Sequence, residues 1–312
     1  MPPFTIESVP LRATIDPDLG ASLMDLAMLT PRGDWRPIMR RAPSDSGRAG
    51  DASMFLMAPW CNRVADARFT FQGQRHALTP NFPDGTAIHG DAWTRPWRIT
   101  DRTPVSATLL LDSREHDRVN FPWAFGVRVR YEVTPEALTV DLDVTNLDRE
   151  PFPAGAGLHP FFNRRLWADD DEVRVCAPVG GRYPCEGRIP TGPATGDAVS
   201  ETLRELAALG NPGLDDVFSA FSGEAVIEWP ASGVRLTMTC SNALDHLVVF
   251  TPRDDAGGAL SWFCIEPTSM VNDGFNLMDR GQGGTGVRVL QPGETLETRT
   301  TMRIGSIPGE QA

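Results

Sequence analysis

The sequence has 312 residues, of which 41% are hydrophobic and 22% charged, values that are ordinary for a soluble globular protein. Its 29 basic residues are all arginines, and the 41 acidic residues leave a net charge of −12. This charge argues against nucleic acid as a partner and disfavours an anionic membrane surface. The absence of lysine excludes a Schiff-base lysine, a pyridoxal-phosphate enzyme and a Walker A phosphate loop, because each needs an amine.

Alternation of apolar and polar residues is the recurrent local pattern, and it predicts strands with one face in a core. Two of these strands, joined by a short turn at residues 134–136, are expected to form a hairpin. Two shorter apolar runs are typical of strands that are buried on both faces. The predicted strands are residues 105–111, 125–133, 137–146, 234–240 and 296–304, and the buried runs are 247–250 and 262–265.

Helical periodicity is scarce, and it predicts one helix at residues 200–209, with Ser200 as N-cap and Gly210 as the stop. No internal repeat, low-complexity tract or linker divides the chain. We therefore predict a single domain over residues 1–312, with a core from about 11 to 304. Its expected fold class is all-β, as a large antiparallel β-sandwich.

The five cysteines form no CxxC pair and no zinc-finger spacing, which favours buried free thiols in a reducing compartment. The N-terminal residues lack a charged segment followed by an apolar one, as a signal peptide requires. No apolar run approaches the ~20 residues that span a bilayer. The expected location is the cytoplasm.

Three residues in conspicuous apolar settings are the main candidates for chemistry: His89 in Ile-His-Gly, His159 in Leu-His-Pro-Phe-Phe, and Glu266 in Ile-Glu-Pro. Such a set can supply one general base and two proton donors. Glu266 ends an apolar strand, where lost solvation raises a carboxyl pKa. Simpler interpretations stay open, since His89 alone is typical of a loop histidine, His159 of a core histidine, and Glu266 of a carboxylate paired with arginine.

Two histidines and a carboxylate also form the facial triad of some iron enzymes. Those sites commonly take two ligands from one short segment, whereas here the three residues come from distant segments. No HxH or HExxH motif occurs. We therefore expect no metal at these residues.

Two further polar pairs are candidates for binding. Asn62 and Arg63 follow an apolar stretch, and a guanidinium there could fork onto hydroxyls or pair with an acid. Asp215 and Asp216 follow a turn, and adjacent residues of an extended chain point to opposite faces. At most one of them can enter a pocket, and a solvated turn is an alternative for both. His246, among polar neighbours, is interpreted as a surface residue.

Taken in order, these motifs resemble the aldose 1-epimerase (galactose mutarotase) family. The resemblance runs through residues 58–63, 69–73, 88–90, 158–163, 214–218 and 265–276. It implies a galactose mutarotase-like β-supersandwich with an open sugar groove and no cofactor. The implied partner is a small monosaccharide, bound by a monomer or homodimer, with neither nucleic acid nor membrane involved.

The resemblance also implies roles. Glu266 is the base that takes the proton of the anomeric hydroxyl, His159 the acid that protonates the ring oxygen, and His89 an assisting hydrogen-bond donor. Arg63 and Asp215 clamp other sugar hydroxyls, and Asn62 lies beside them. The sequence departs from the family pattern beside these motifs, which puts the identity of the sugar in doubt; the departures are Asp91, Asp216 and Thr268.

The leading hypothesis is an enzyme that interconverts the anomers of a free aldose. A non-catalytic carbohydrate-binding protein is expected to lose one of the proton-handling residues, and none is lost. An epimerase of hexose phosphates would need a cluster of cations for the phosphate dianion, which the sequence does not show. A sugar lactonase could use the same acid and base with water.

Overall fold

Strands account for most of the regular structure in the computed structural model, which describes residues 1–30, 32–43 and 47–308. The first half of the described chain contains β1 (Phe4–Ser8), β2 (Leu11–Asp16), β3 (Ser22–Leu29), β4 (Trp35–Pro37), β5 (Met54–Met57), β6 (Arg63–Val64), β7 (Arg68–Phe71), β8 (Gln74–Ala77), β9 (Ala87–Ile88), β10 (Arg98–Arg102), β11 (Ser106–Asp112), β12 (Phe125–Val133), β13 (Ala137–Asn146) and β14 (Phe152–Ala154).

The second half contains β15 (Gly157–Asn163), β16 (Arg174–Cys176), β17 (Gly181–Arg182), β18 (Cys185–Glu186), β19 (Ile189–Pro190), β20 (Ala207–Ala208), β21 (Asp215–Ser219), β22 (Glu224–Trp229), β23 (Val234–Cys240), β24 (His246–Phe250), β25 (Trp262–Thr268), β26 (Arg288–Leu290) and β27 (Thr295–Ser306). Two short helices, α1 (Ala198–Thr202) and α2 (Gly274–Asp279), complete the described elements together with four single 3₁₀ turns.

Two large antiparallel sheets organise the described strands. The first has the order β1-β2-β3-β5-β15-β25-β24-β21-β17, with β4 paired to β3, and the second has the order β10-β11-β12-β13-β27-β23-β22-β16-β20. Four two-stranded ribbons lie outside these sheets, among them β6 with β9. The predicted all-β sandwich is confirmed.

The predicted strands of the second sheet follow from their alternating pattern. The hairpin of β12 and β13 is confirmed, and its antiparallel register runs from the pair Phe125 and Asn146 to the pair Val133 and Leu138. Every second residue, such as Val129 and Leu142, belongs to the main hydrophobic core. Burial of one face explains why period-two alternation locates these strands well.

The predicted helix at residues 200–209 is wrong in both bounds. Asp197 is the N-cap, since its carboxylate accepts a hydrogen bond from the backbone N–H of Ser200, and helix α1 ends at Thr202. Residues 207 and 208 form strand β20, which pairs with β16 in the second sheet. A long-range pairing, which local periodicity does not report, overrides the helical pattern here.

The two faces of the first sheet have different environments at its centre. Leu158 and Ile265 belong to the same core as Val129 and Leu142 of the second sheet, so one face of the first sheet packs into the sandwich. The intervening residues of β15 and β25 point to the opposite face. His159 and Glu266 are among those intervening residues, so they share the face opposite to that of Leu158 and Ile265.

Candidate active site

Neighbouring central strands bring the main candidates together. The register of β15 on β25 sets His159 directly opposite Glu266, and strand β5 sets Phe55 opposite His159 on the other side. Cys264 lies two residues before Glu266 on β25, so its side chain shares this face. The strand pairing alone therefore assembles an imidazole, a carboxylate and a thiol.

His159 and Glu266 form a close buried pair. The Nε2 atom of His159 lies 3.3 Å from Oε1 of Glu266, and the residues are 8% and 1% exposed. The separation slightly exceeds the range of about 2.6–3.2 Å of a formed catalytic hydrogen bond, and such bonds are often long in ligand-free sites. The remaining polar atoms, Nδ1 of His159 and Oε2 of Glu266, are buried without a hydrogen-bond partner among the described residues.

Burial pushes both members of this pair toward their neutral forms. Loss of solvation lowers the pKa of His159 well below its ordinary value, and the nearby His89 and Arg40 lower it further. Loss of solvation likewise raises the pKa of Glu266 well above its ordinary value, with Asp215 adding to the effect and Arg63 opposing it. The pair is thus disposed to hold one proton in total, which it can carry on either residue.

His89 reaches the site from the loop after β9 in a left-handed backbone conformation with φ of 64°. Gly90 follows with φ of 78°, and a Cβ at that position would lie 1.9 Å from the carbonyl oxygen of Ala58. Only glycine fits there, which explains the Ile-His-Gly motif. The His89 ring lies 5.3 Å from that of His159 and 5.0 Å from that of Phe55, between centroids.

The contact of His89 with Met57 defines which ring nitrogen of His89 carries the hydrogen. Its Nδ1 lies 3.0 Å from the sulfur of Met57. A thioether sulfur can only accept, so Nδ1 is the donor in this contact. Burial, reinforced by Arg63, lowers the pKa of His89 to about 3. In the neutral ring Nε2 is therefore left as a hydrogen-bond acceptor.

Arg63 is held in a network that the sequence pattern only partly indicates. Its Nε donates to Asp84 at 2.8 Å, and its Nη1 donates to the side-chain oxygen of Asn62 at 3.1 Å. The guanidinium also lies over the ring of Phe82, 5.0 Å from its centroid. The backbone N–H of His89 donates to the carbonyl of Asn62. Asn62 and Arg63 are thus tied directly to the loop that carries His89.

The first sheet also distinguishes the two adjacent aspartates. Asp215 pairs with Phe250 on β24, which pairs in turn with Cys264 on β25, so Asp215 lies on the face of Glu266. Asp216 points to the other face, and its carboxylate lies 3.7 Å from Arg182. Burial raises the pKa of Asp215.

Arg188 is a neighbour of the site that sequence reasoning missed. Its Nε lies 2.6 Å from the Asp215 carboxylate. It stands beside the two-residue strand β19, in a segment without a pattern that marks it. No motif identifies this arginine, and only the fold brings it to Asp215.

A second missed residue, Arg40, acts on His159 through an aromatic ring. The guanidinium carbon of Arg40 lies 3.7 Å from the centroid of Phe161. Phe161 stacks in turn on His159, with centroids 4.5 Å apart. Two hydrogen bonds to the carbonyls of Gly50 and Ala52 hold the guanidinium. A cation is therefore fixed behind the imidazole, with the phenyl ring between them.

The residues that depart from the family pattern are engaged with other groups of the protein. Both carboxylate oxygens of Asp91 accept hydrogen bonds from Arg95, at 2.8 and 3.0 Å. The hydroxyl of Thr268 donates to the carbonyl of Met270.

The prediction that His246 lies on the surface is wrong, since it is buried and hydrogen-bonded at 2.7 Å to Asp245. Its place on the buried strand β24, unlike its polar neighbours in sequence, explains the difference.

Comparison with known proteins finds relatives of this chain in one protein family. A profile of the family described as aldose 1-epimerase matches residues 11–303. The uncharacterized protein YphB of Escherichia coli K12 is 29% identical over 279 residues, which cover 87% of this chain and 91% of that protein. No helix among the described residues is long and apolar enough to cross a membrane.

Solved structures support the same grouping. A crystal structure from Escherichia coli K12, of a protein provisionally assigned as an aldose 1-epimerase, is 26% identical with a TM-score of 0.84 and covers 98% of this chain and 99% of that chain. A galactose mutarotase-like protein from Clostridium acetobutylicum is 21% identical with a TM-score of 0.82, covering 97% of this chain and 95% of that chain. The expected galactose mutarotase-like fold is confirmed.

Proposed function

The chain belongs to the aldose 1-epimerase family, and on that premise we propose that it is an isomerase that interconverts the α and β anomers of a free aldose without a cofactor. The observation that carries the proposal is the buried contact of 3.3 Å between His159 and Glu266. One proton can move between these groups, and anomer exchange needs one proton removed from O1 while another is added to O5.

Ring opening uses the ionised form of the pair. The Glu266 carboxylate takes the proton of the O1 hydroxyl, the C1–O1 double bond forms, and the C1–O5 bond breaks as His159 donates a proton to O5. Both residues are then neutral, which is the state that their burial favours. Rotation about C1–C2 presents the other face of the aldehyde. On closure the transfers reverse, since the same groups must act in both directions.

The remaining site residues are assigned to binding. His89 accepts a hydrogen bond from a sugar hydroxyl through Nε2, because its Nδ1 hydrogen is directed at Met57. This differs from the donor role that the family resemblance implies. Arg63 and Asp215 hold other hydroxyls, and Asn62 orients Arg63 through their hydrogen bond. Hydrogen bonds to charged groups contribute about 1.5–3 kcal/mol each, so these clamps supply orientation as well as affinity.

The two unpartnered polar atoms at the pair favour an enzyme over a carbohydrate-binding protein. Buried polar groups normally have partners, and those without one commonly mark a functional site. Nδ1 of His159 and Oε2 of Glu266 stay unsatisfied among the described residues. A lectin would gain nothing from burying two proton-exchanging groups in contact.

Polarimetry tests the proposal on freshly dissolved α-anomers of galactose, glucose, xylose and arabinose. Equilibration faster than the uncatalysed rate in proportion to protein concentration supports an aldose 1-epimerase. Sugar binding detected by calorimetry without such acceleration would instead support the carbohydrate-binding alternative. Hydrolysis of aldonolactones, or acceleration confined to hexose 6-phosphates, would select the lactonase or the phosphosugar epimerase.

A further inference from the structure

Cys264 is a buried thiol that the proposed reaction does not use. It lies on the same face of β25 as Glu266. One donor atom from each of Cys264, His159 and Glu266 lies within 4.8 Å of the other two, and all three residues are buried. An imidazole nitrogen, a sulfur and a carboxylate oxygen therefore meet around one point.

Two polar atoms of these ligand residues lack partners, and a bound ligand can supply them. Nδ1 of His159 and Oε2 of Glu266 are buried without hydrogen bonds among the described residues, and both residues are more than nine-tenths buried. Sugar hydroxyls are one way to satisfy such atoms. A cation is another, because a neutral imidazole has a nitrogen with a free lone pair and an ionised carboxylate has lone pairs on both oxygens.

We propose that Cys264, His159 and Glu266 form an inhibitory site for a thiophilic divalent cation of the zinc type. Nitrogen, sulfur and carboxylate oxygen are the donors that zinc takes in proteins, and bonds of about 2.0–2.3 Å place tetrahedral donors about 3.5 Å apart. The observed spread of up to 4.8 Å closes to that value with side-chain movements of about an ångström. The fourth position stays open, as in a catalytic zinc site.

The charges of the site agree with a dication. A thiolate and a carboxylate neutralise the two positive charges, and a neutral imidazole ligand adds none. The groups that surround the cluster partly offset one another: Asp215 is acidic, whereas Arg40 and Arg63 are cationic and His89 is neutral. Binding must displace the thiol proton and the proton that the pair shares, so the affinity rises with pH.

The cation is an inhibitor and not a cofactor in this inference. It occupies the atoms that handle protons in the proposed reaction, so metal and sugar exclude each other. The inhibition rests on the proposed function, whereas the binding itself does not. Catalytic zinc sites hold their metal with three protein ligands, so binding at this cluster needs no fourth protein group.

Cobalt(II) is the probe, because it occupies zinc-type sites and a thiolate ligand gives it an intense charge-transfer absorption in the near ultraviolet. We expect one equivalent to bind the intact protein with this band, and Zn²⁺ to displace it. Cys264→Ser should remove the band and weaken binding by at least about tenfold, while leaving anomer exchange intact when no metal is present. Cys240 is a free thiol in the second sheet. The variant Cys240→Ser is therefore the matched control and should retain the band.

A second readout separates this inference from the proposed function. Zn²⁺ should inhibit anomer exchange competitively with the sugar, and Cys264→Ser should be at least about tenfold less sensitive. Absence of the band in the intact protein, or an equal band in Cys264→Ser, would overturn the metal site even if the enzyme is active. Formation of the band in a protein without epimerase activity would refute the proposed function and leave the metal site standing.

Discussion

His159 and Glu266 are opposite each other on the adjacent antiparallel strands β15 and β25, although 107 positions separate them in the chain. The register of the two strands sets their contact, so a slip of one residue would move one of them to the other face of the sheet. Both strands are central in the first sheet. The proposed proton exchange therefore depends on the pairing of two central strands of that sheet.

Replacing Glu266 by Gln should lower kcat by ~10²–10⁴, because the amide keeps the shape of the side chain but cannot take the O1 proton. The fold should persist, since the removed carboxyl is buried next to a neutral imidazole. Polarimetry of α-galactose, with circular dichroism to verify the fold, measures both effects.

Glu228→Gln is the matched control for that variant. Glu228 is also a buried glutamate, but it lies in β22 of the second sheet and pairs with Arg235 at 2.6 Å. We expect it to keep nearly full activity. Undiminished anomer exchange in Glu266→Gln, or an equal loss in both variants, would remove Glu266 from the role of base.

The sequence predicts those parts of this molecule that depend on local patterns. Alternation located β12 and β13 because one face of each strand is buried. It could not locate the pairing of residues 207 and 208 with β16. These two residues are therefore in a strand, although the pattern predicts a helix there. The Arg40–Phe161–His159 stack was likewise invisible, since a ring contact between distant segments leaves no periodic trace.

The pH dependence of kcat/KM should report the free His159–Glu266 pair. As the pH falls, the second proton enters at His159, whose pKa lies well below its ordinary value of 6.5 because of burial. The acid limb should therefore lie below pH 6.5, and the rate should stay on its plateau as the pH falls through that value. Initial rates corrected for uncatalysed mutarotation at each pH give this profile. An acid limb with its midpoint at or above pH 6.5 would contradict the assignment.

Arg40 should tune His159 from behind Phe161. In Arg40→Met the apolar contact with Phe161 remains but the positive charge is lost, so the pKa of His159 should rise and the acid limb should move to higher pH. Side-chain ¹⁵N NMR of His159 measures this shift without depending on activity. Arg36→Met, which removes an exposed arginine paired with Asp34, is the control. Equal titration of His159 in the wild type and in Arg40→Met would show that the stack has no electrostatic effect.

Burial of neutral His89 should make the fold sensitive to acid. Its pKa is about 3 in the folded protein and about 6.5 in an unfolded chain. The unfolded state therefore binds the proton first as the pH falls, and stability is lost progressively below pH 6.5. Between pH 7 and pH 5 this histidine should cost about 2 kcal/mol of unfolding free energy. Urea denaturation at both pH values should show a decrease smaller by that amount in His89→Gln. An identical decrease in the two proteins would mean that folded His89 is not held neutral.

Asp215 and Asp216 allow the binding role to be tested with charge and strand held constant. Asp215 shares the face of Glu266, whereas Asp216 points to the other face. Asp215→Asn should therefore weaken sugar binding, and a lost hydrogen bond to a charged group of about 1.5–3 kcal/mol corresponds to a rise in KM of roughly 10–100-fold. Asp216→Asn should change KM by no more than about twofold, because the substitution alters a group that the sheet keeps away from Glu266.

Loss of the Asp215 charge also removes a contribution that raises the pKa of Glu266, so the alkaline limb of kcat/KM should move to lower pH in Asp215→Asn alone. Equal changes in KM and in the alkaline limb for the two variants would show that the face of the sheet does not decide which aspartate meets the sugar.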